Sequence, residues 1–540
     1  MDMSAHNLKP YIIALLIFVC GAIVINYLAV PNTLSHDKLN GELFLIKSQH
    51  PEFFSKDYIF EGTSWYFFYV PFLEFIRLLN GFTGASEESY RLLVPIAFFI
   101  FTFGMFTFFY RLGNRFSASV AVAVLSSIFI EEVLHENWGI PGPSLISYRH
   151  IALAFLPFSF LMYYVFFNNP RRLPLAFLSV GFIANIHPVS GFYVTLIFLG
   201  TFLIVKELGQ ETIKRVFVLG FWALIGTIPF VLWHFVLYPT HQEQFIIRDP
   251  AYLSALWAAQ PHMSPEGMFL LYKRLFITNW YTFWPLFAIC AFTLTKRWGQ
   301  TMSLGLVKKI SLAIIITIAA ITFFISIAQQ FLQTFFGIAP VIIEEPRAFR
   351  FIYFVLYLHA AFSVTHIWNT TQRSTIAKQK IAIGAIAVFI AVFVVIVGYQ
   401  KAHRTISLIA LKKNDPNIGL TCKSPMYQWI SGNTDTEDLF LIDPNRFPPF
   451  RICALRAVVY HYRDVTPIIN SKEKLVEWHK RKQIIEEAYG TRDGKAIVDV
   501  ANRFGVKYVV SEGCIPIPGH EPVYRDGKFD CVYKVLTDYK

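Results

Sequence analysis

The sequence predicts a polytopic α-helical membrane protein of about eleven transmembrane helices, followed by a C-terminal extracytoplasmic α/β domain. Three observations predict it. The 540 residues are 55% hydrophobic and only 16% charged, outside the range of soluble enzymes. Apolar runs of bilayer length recur as far as residue 399. After Gln400 the composition changes to that of a globular domain.

Residues 11–30 carry no charge, and no small-residue cleavage site follows them, so they read as an uncleaved first span. Further runs fall near 93–110, 116–134, 151–168, 173–187, 188–205, 216–237, 279–295, 310–330, 351–368 and 381–399. His187-Pro188 divides 173–205 into two short helices, because proline cannot donate to a continuing helix. Trp65–Leu79 is apolar but short and carries Glu74 and Arg77, which predicts a helix lying on the outer membrane surface.

Charge orients the layout. With a cytoplasmic N-terminus, the inner segments hold 15 bases against three acids, and the outer segments before residue 400 hold 11 bases against 16 acids. That is the positive-inside pattern, and it places residues 31–92 in a long first outer loop and the C-terminus outside. The net charge of +12 is therefore a topology signal, and nucleic acid is not an expected partner.

The region 400–540 reads as a separate domain after the membrane domain of 1–399. PMYQWISGN suggests a helix, DLFLID a strand and CALRAVVYH a second strand. KEKLVEWHKRKQIIEEAY is an amphipathic helix, and AIVDVANRFG is another, ended at Gly505. VKYVVSE is a strand, and VYRDGKFDCVYKVL a hairpin about Asp526-Gly527. Cys422, Cys453, Cys514 and Cys531 suggest two disulfides in an oxidising compartment. Of three pairings, 422–453 with 514–531 is favoured; four buried thiols are the alternative.

Candidate chemistry gathers on the outer side. Asp37, beyond the first span, could act as general base on an acceptor hydroxyl; it could equally be a helix-starting acid in a solvated loop. Arg347 and Arg350, three apart at a helix start, suit a phosphate, or else pair with Glu344 and Glu345. Arg149 could join either arrangement. His187 is a supporting site residue or a buried core histidine. No metalloprotease, CxxC, P-loop or dinucleotide motif occurs.

One cytoplasmic start, one span, a long acid-bearing outer loop, further spans and an external α/β domain together resemble the GT-C superfamily of membrane glycosyltransferases. HPEFFSKDYIFEG looks like the first loop of bacterial members, and YQWISGNTDTEDLFLIDP with FRICALRAVVYHYRD looks like their soluble tail. The resemblance implies a polyprenyl-phosphate sugar donor, a lipid or glycan acceptor, and a place in the plasma membrane among its lipids. It implies Asp37 or Asp57 as catalytic acid, Arg347, Arg350 and Arg149 on the carrier phosphate, and His36, His187 and Glu344 in support. The first loop has no DxD or ExD pair, His36-Asp37 standing there instead, so a divalent metal has no paired-acid motif and no cofactor is assigned. The alternatives are a lipid-linked glycan flippase or transporter and a non-catalytic assembly protein for envelope polymers.

Overall fold

A computed structural model describes residues 8–28, 36–62, 65, 70–84, 86–128, 131–133, 136–140, 147–237, 246–278, 280–295, 302–340, 345–372, 422, 424–443, 449–469, 471–526 and 530–535. The membrane region begins with α1 (Lys9–Leu28), α2 (His36–Gln49), α3 (Pro71–Thr83), α4 (Ser86–Arg111) and α5 (Phe116–Ile128). A hairpin of β1 (Glu131–Val133) and β2 (Glu136–Trp138) precedes α6 (Tyr148–Phe166), α7 (Leu173–Ala184), α8 (Pro188–Lys206), α9 (Gln210–Gly226) and α10 (Ile228–Leu232). Then come β3 (Ile246–Arg248), α11 (Pro250–Ala259), α12 (Pro265–Lys273), α13 (Trp280–Thr295), α14 (Met302–Ala319), α15 (Ser326–Phe336), β4 (Ile338–Pro340) and α16 (Ile352–Gln372). Pairing of β3 with β4 ties together two segments far apart in the chain.

Five of the described helices are long and apolar enough to cross a membrane, or six if α9 and its continuation to Leu237, bent by 61°, count as one span. Lys9–Ile23, Phe116–Ser127, Leu173–Ala184 and Phe283–Thr295 are shorter apolar helices. The run 381–399 lies outside the described residues. Phe217, Phe235 and Phe335 are exposed while serines, threonines and glutamines are buried, the inversion expected where lipid is the solvent.

Small residues set the helix contacts. A Cβ on Gly181 would stand 2.0 Å from the Ala223 carbonyl oxygen, and one on Gly226 would stand 2.3 Å from that of Leu178. The α7 and α9 backbones therefore touch, as in close membrane crossings. Asn185 bridges the bend after α9: its Nδ2 donates to the Gly226 carbonyl at 2.9 Å, and its Oδ1 accepts from the Phe230 N–H at 2.7 Å. Backbone groups freed by the break are thus satisfied within the protein.

Helix α3 is displaced from the bounds Trp65–Leu79 expected for it. It begins at Pro71, where a missing N–H costs nothing, and ends at Gly84 with φ +76°. Phe72, Leu73 and Ile76 face inward, while Phe75, Leu78 and Phe82 are exposed and Glu74 pairs with Arg77 at 2.5 Å.

The C-terminal region contains α17 (Pro425–Asn433), β5 (Leu439–Leu441), α18 (Phe450–Ala454), β6 (Ala457–Val458), α19 (Val465–Ile468), α20 (Lys472–Thr491), α21 (Gly494–Arg503), β7 (Tyr508–Glu512), β8 (Pro522–Asp526) and β9 (Asp530–Lys534). The sheet order is β6-β5-β7-β9-β8, parallel across its first three strands and antiparallel beyond. Neighbouring residues serve opposite faces: Phe440 and Val510 pack with α17 and α18, and Leu441 and Val509 with α20 and α21. Disulfides join Cys422 to Cys453 and Cys514 to Cys531, the favoured pairing. The stretch CALRAVVYH corrects the expected strand. Phe450–Ala454 is helical, Leu455 turns the chain at φ +54°, and only Ala457–Val458 pairs. Arg456 fixes the corner by donating to the carbonyls of Ser431, Thr434 and Leu455.

Candidate functional site

Three elements meet at one end of the bundle: the starts of α6 and α8 and the 3₁₀ turn Glu345–Phe351. His187 is the N-cap of α8, with Pro188 in the first turn, and its Nδ1 accepts the Ser190 N–H at 3.1 Å. The same Nδ1 lies 2.6 Å from Ser190 Oγ. An accepting Nδ1 assigns the neutral ring's proton to Nε2. Arg350, almost wholly buried, donates from Nη2 to Ser190 Oγ at 2.5 Å. The start of α6 repeats the pairing in reverse, with Ser147 and His150 closing a capping box. Tyr148 places its ring 5.5 Å from that of His187 and so joins the two starts. Gly191 permits this, since a Cβ there would lie 2.5 Å from that of Ala184.

The 3₁₀ turn is held from behind. Trp138 of β2 stacks on Tyr353 and Tyr357 at 5.4 and 5.8 Å, and its Nε1 donates to the Ser126 carbonyl at 3.0 Å. The hairpin that carries Glu131, Glu132 and Glu136 thereby packs against the turn that carries Arg347 and Arg350. The Arg347 charge also acts on His262, in the 3₁₀ turn Pro261–Met263. Burial first, then that charge, pushes the imidazole down to about 4. Two arginines beside two helix starts make a cationic corner able to hold an oxyanion.

Of the residues expected from sequence, Arg350 and His187 meet through Ser190. Arg149 begins α6, next to Tyr148, and Arg347 shares the turn of Arg350. Asp37 and His36 open α2, but their side chains, like Glu344, lie outside the described residues. Ser190 and Tyr148 were not anticipated; the signal for Ser190 was its place three residues after a helix-starting His-Pro.

Asp57 is held in a buried ion-pair clamp with the C-terminal domain. It is fully buried, and its carboxylate takes Arg451 Nε at 2.6 Å and Nη2 at 3.1 Å. The Val458 and Ile59 N–H groups complete its partners at 3.2 and 3.4 Å. Arg451 also binds both oxygens of Asp464, which accepts the His461 N–H at 2.8 Å and the Tyr58 hydroxyl at 3.4 Å. Burial, working against the Arg451 charge, raises the Asp464 carboxyl above its ordinary range. Around this clamp, Lys474 donates to the carbonyls of Ile59 and Glu61, and Arg481 covers the Tyr58 ring at 4.2 Å. A second seam joins α11 to the start of α20 through Tyr252 OH on the Ile469 carbonyl, 3.0 Å, and Asp249 with Lys472, 2.8 Å.

Fold and site define the class: a polytopic helical membrane protein whose disulfide-bonded α/β domain is clamped onto its first loop. Residues 423–485 match a family model described as a domain of unknown function (DUF6798). That stretch contains Arg451, Asp464, Lys474 and Arg481, the side chains that grip residues 57–61. No curated protein matches the chain. Among the described residues, no three His, Cys, Asp or Glu side chains are grouped as metal ligands.

Proposed function

We propose that the chain is a GT-C-type glycosyltransferase of eleven spans, with its N-terminus cytoplasmic and its C-terminal domain outside the plasma membrane. It would transfer a sugar from a polyprenyl-phosphate carrier to a lipid or glycan acceptor. The observation that carries this reading is the buried Arg350 guanidinium fixed at the start of α8 by Ser190. In the proposed step, an acceptor hydroxyl attacks the anomeric carbon while the bond to the carrier phosphate breaks. The phosphate leaves with the electron pair, Arg350, Arg347 and Arg149 neutralise its developing charge, and Asp37 takes the hydroxyl proton. Asp57, held by Arg451, is assigned to positioning the loop that follows α2 rather than to proton transfer.

Purified protein in nanodiscs, given polyprenyl-phosphate hexoses and candidate acceptors, tests this. Asp37→Asn should lower turnover by about 10²-fold or more; undiminished turnover in that variant would overturn the reading. Reporter fusions at residues 113 and 400 should read cytoplasmic and external. The broken span after α9 favours the transport alternative, and substrate flux in proteoliposomes without turnover would establish that instead.

A further inference from the structure

Helix α15 is inside out. Ile327, Phe331 and Phe335 are exposed, while Ser326, Gln329 and Gln333 are buried. Thr322, in the π-helical turn Ala320–Ile325 just before it, extends the buried stripe. The spacings of four, three and four residues keep these side chains along one helix face. That face looks onto the outer-loop layer of α11 and α12. Trp257 Nε1 donates to Gln333 Oε1 at 3.2 Å, Gln330 Nε2 donates to the Met263 carbonyl at 2.8 Å, and Tyr272 OH donates to the Thr322 carbonyl at 2.7 Å.

The stripe offers more hydrogen bonding than the protein uses. Among the described residues, Thr322 Oγ1, Ser326 Oγ and Gln333 Nε2 on the stripe, and Gln330 Oε1 beside it, are buried without a hydrogen-bond partner. Buried polar groups are paired in nearly all folded proteins, so four such atoms on three helical turns call for an explanation. The stripe holds only hydroxyls and amides, which both donate and accept. A neutral, hydroxyl-rich group matches that chemistry; an anion does not. One end of the stripe adjoins the cationic corner, because the Ala320–Ile325 turn packs against the turn that carries Arg347 and Arg350, with Phe323 and Phe349 rings 6.3 Å apart. The other end reaches Trp257, whose ring supplies an apolar wall.

We infer that Thr322, Ser326, Gln329 and Gln333, with Trp257 opposite, form the binding tract for the saccharide part of a phosphate-linked sugar whose phosphate rests at Arg347 and Arg350. This inference rests on the glycosyltransferase reading and adds the sugar subsite to it. The outward phenylalanines of the same helix leave the ligand's hydrocarbon chain beside lipid.

The test uses full-length protein in nanodiscs with farnesyl phosphate and farnesyl phosphates carrying glucose, galactose, mannose or N-acetylglucosamine. At least one sugared probe should bind about tenfold tighter than the bare phosphate. The double variant Thr322→Val, Ser326→Ala should erase that increment and leave bare farnesyl phosphate binding unchanged. Its Tm without probe should equal or exceed the parent's, since unpaired buried polar groups are removed. Survival of the increment in the variant overturns the tract but not the enzyme, and so does a Tm lowered by several degrees. Equal binding of bare and sugared probes to the parent also overturns the tract and leaves the phosphate corner standing. Failure of every probe to bind the parent overturns the functional reading, and the tract with it.

Discussion

The clamp at Asp57 and the stripe on α15 are both buried and both polar, yet they are built on opposite terms. In the clamp one guanidinium meets two carboxylates, and backbone N–H groups take up remaining lone pairs. On the stripe, among the described residues, Thr322 Oγ1, Ser326 Oγ and Gln333 Nε2 have no hydrogen-bond partner. Saturation fixes a geometry and leaves nothing for a ligand; a surplus leaves capacity for one. The difference separates two acids that sequence position had placed together. Asp57 is saturated by its partners, and the chemistry proposed for the first loop is assigned to Asp37.

Arg451→Met should give the largest effect. It strands two buried carboxylates, and losing one partner of a buried pair costs about 3–5 kcal/mol. A lowered melting temperature and protease cleavage within residues 51–62 would record it; an unchanged melt would place the clamp among interactions of no consequence. Losing either disulfide alone should cost less, about 2–4 kcal/mol, with the wider 31-residue separation of Cys422–Cys453 contributing more than the 17 of Cys514–Cys531. Denaturant melts of the paired variants Cys422→Ala with Cys453→Ala and Cys514→Ala with Cys531→Ala measure this, and curves coincident with the parent's would contradict it.

At the cationic corner the effect should appear in binding instead. Arg350→Lys keeps the charge and a donor for Ser190 but loses the planar fork, so farnesyl phosphate binding should weaken about tenfold with little change in melting temperature. Equal losses of binding and stability would make Arg350 a second clamp. The smallest effect is expected of pH. His262 titrates at about 4 when folded against an ordinary 6.5. Its neutral form suits the folded state, so its contribution is complete above pH 6.5 and is lost as pH falls toward 4. With allowance for its partial exposure, the loss is ~1 kcal/mol at pH 5.5. Melts from pH 7 to 5 should show a slope that His262→Gln flattens; a slope unchanged in the variant assigns it to another group.

Local grammar made much of this fold legible. The His187-Pro188 break, the Gly505 stop after α21 and the antiparallel pairing of β8 with β9 each depend on a few adjacent residues, and each falls where expected. Where the reading went wrong, a competing local signal won. Pro71 at a first helical turn outweighed the aromatic run before it, and the corner held by Arg456 outweighed β-branched propensity in CALRAVVYH. The clamp, the Arg350–Ser190 contact and the pairing of Trp257 with Gln333 were not legible. Each joins residues far apart in the chain, and no spacing rule reaches that far.

Asp57 and Arg451 are 394 residues apart. At ribosomal rates of about 5–20 residues per second, the aspartate is made roughly 20–80 s before its arginine. All the spans between them insert in that interval, while the first loop waits for the contact that will bury it. The first loop to be synthesised is therefore among the last to settle. A chain terminated anywhere before residue 451 would carry its injury at residue 57 as well as at its own end.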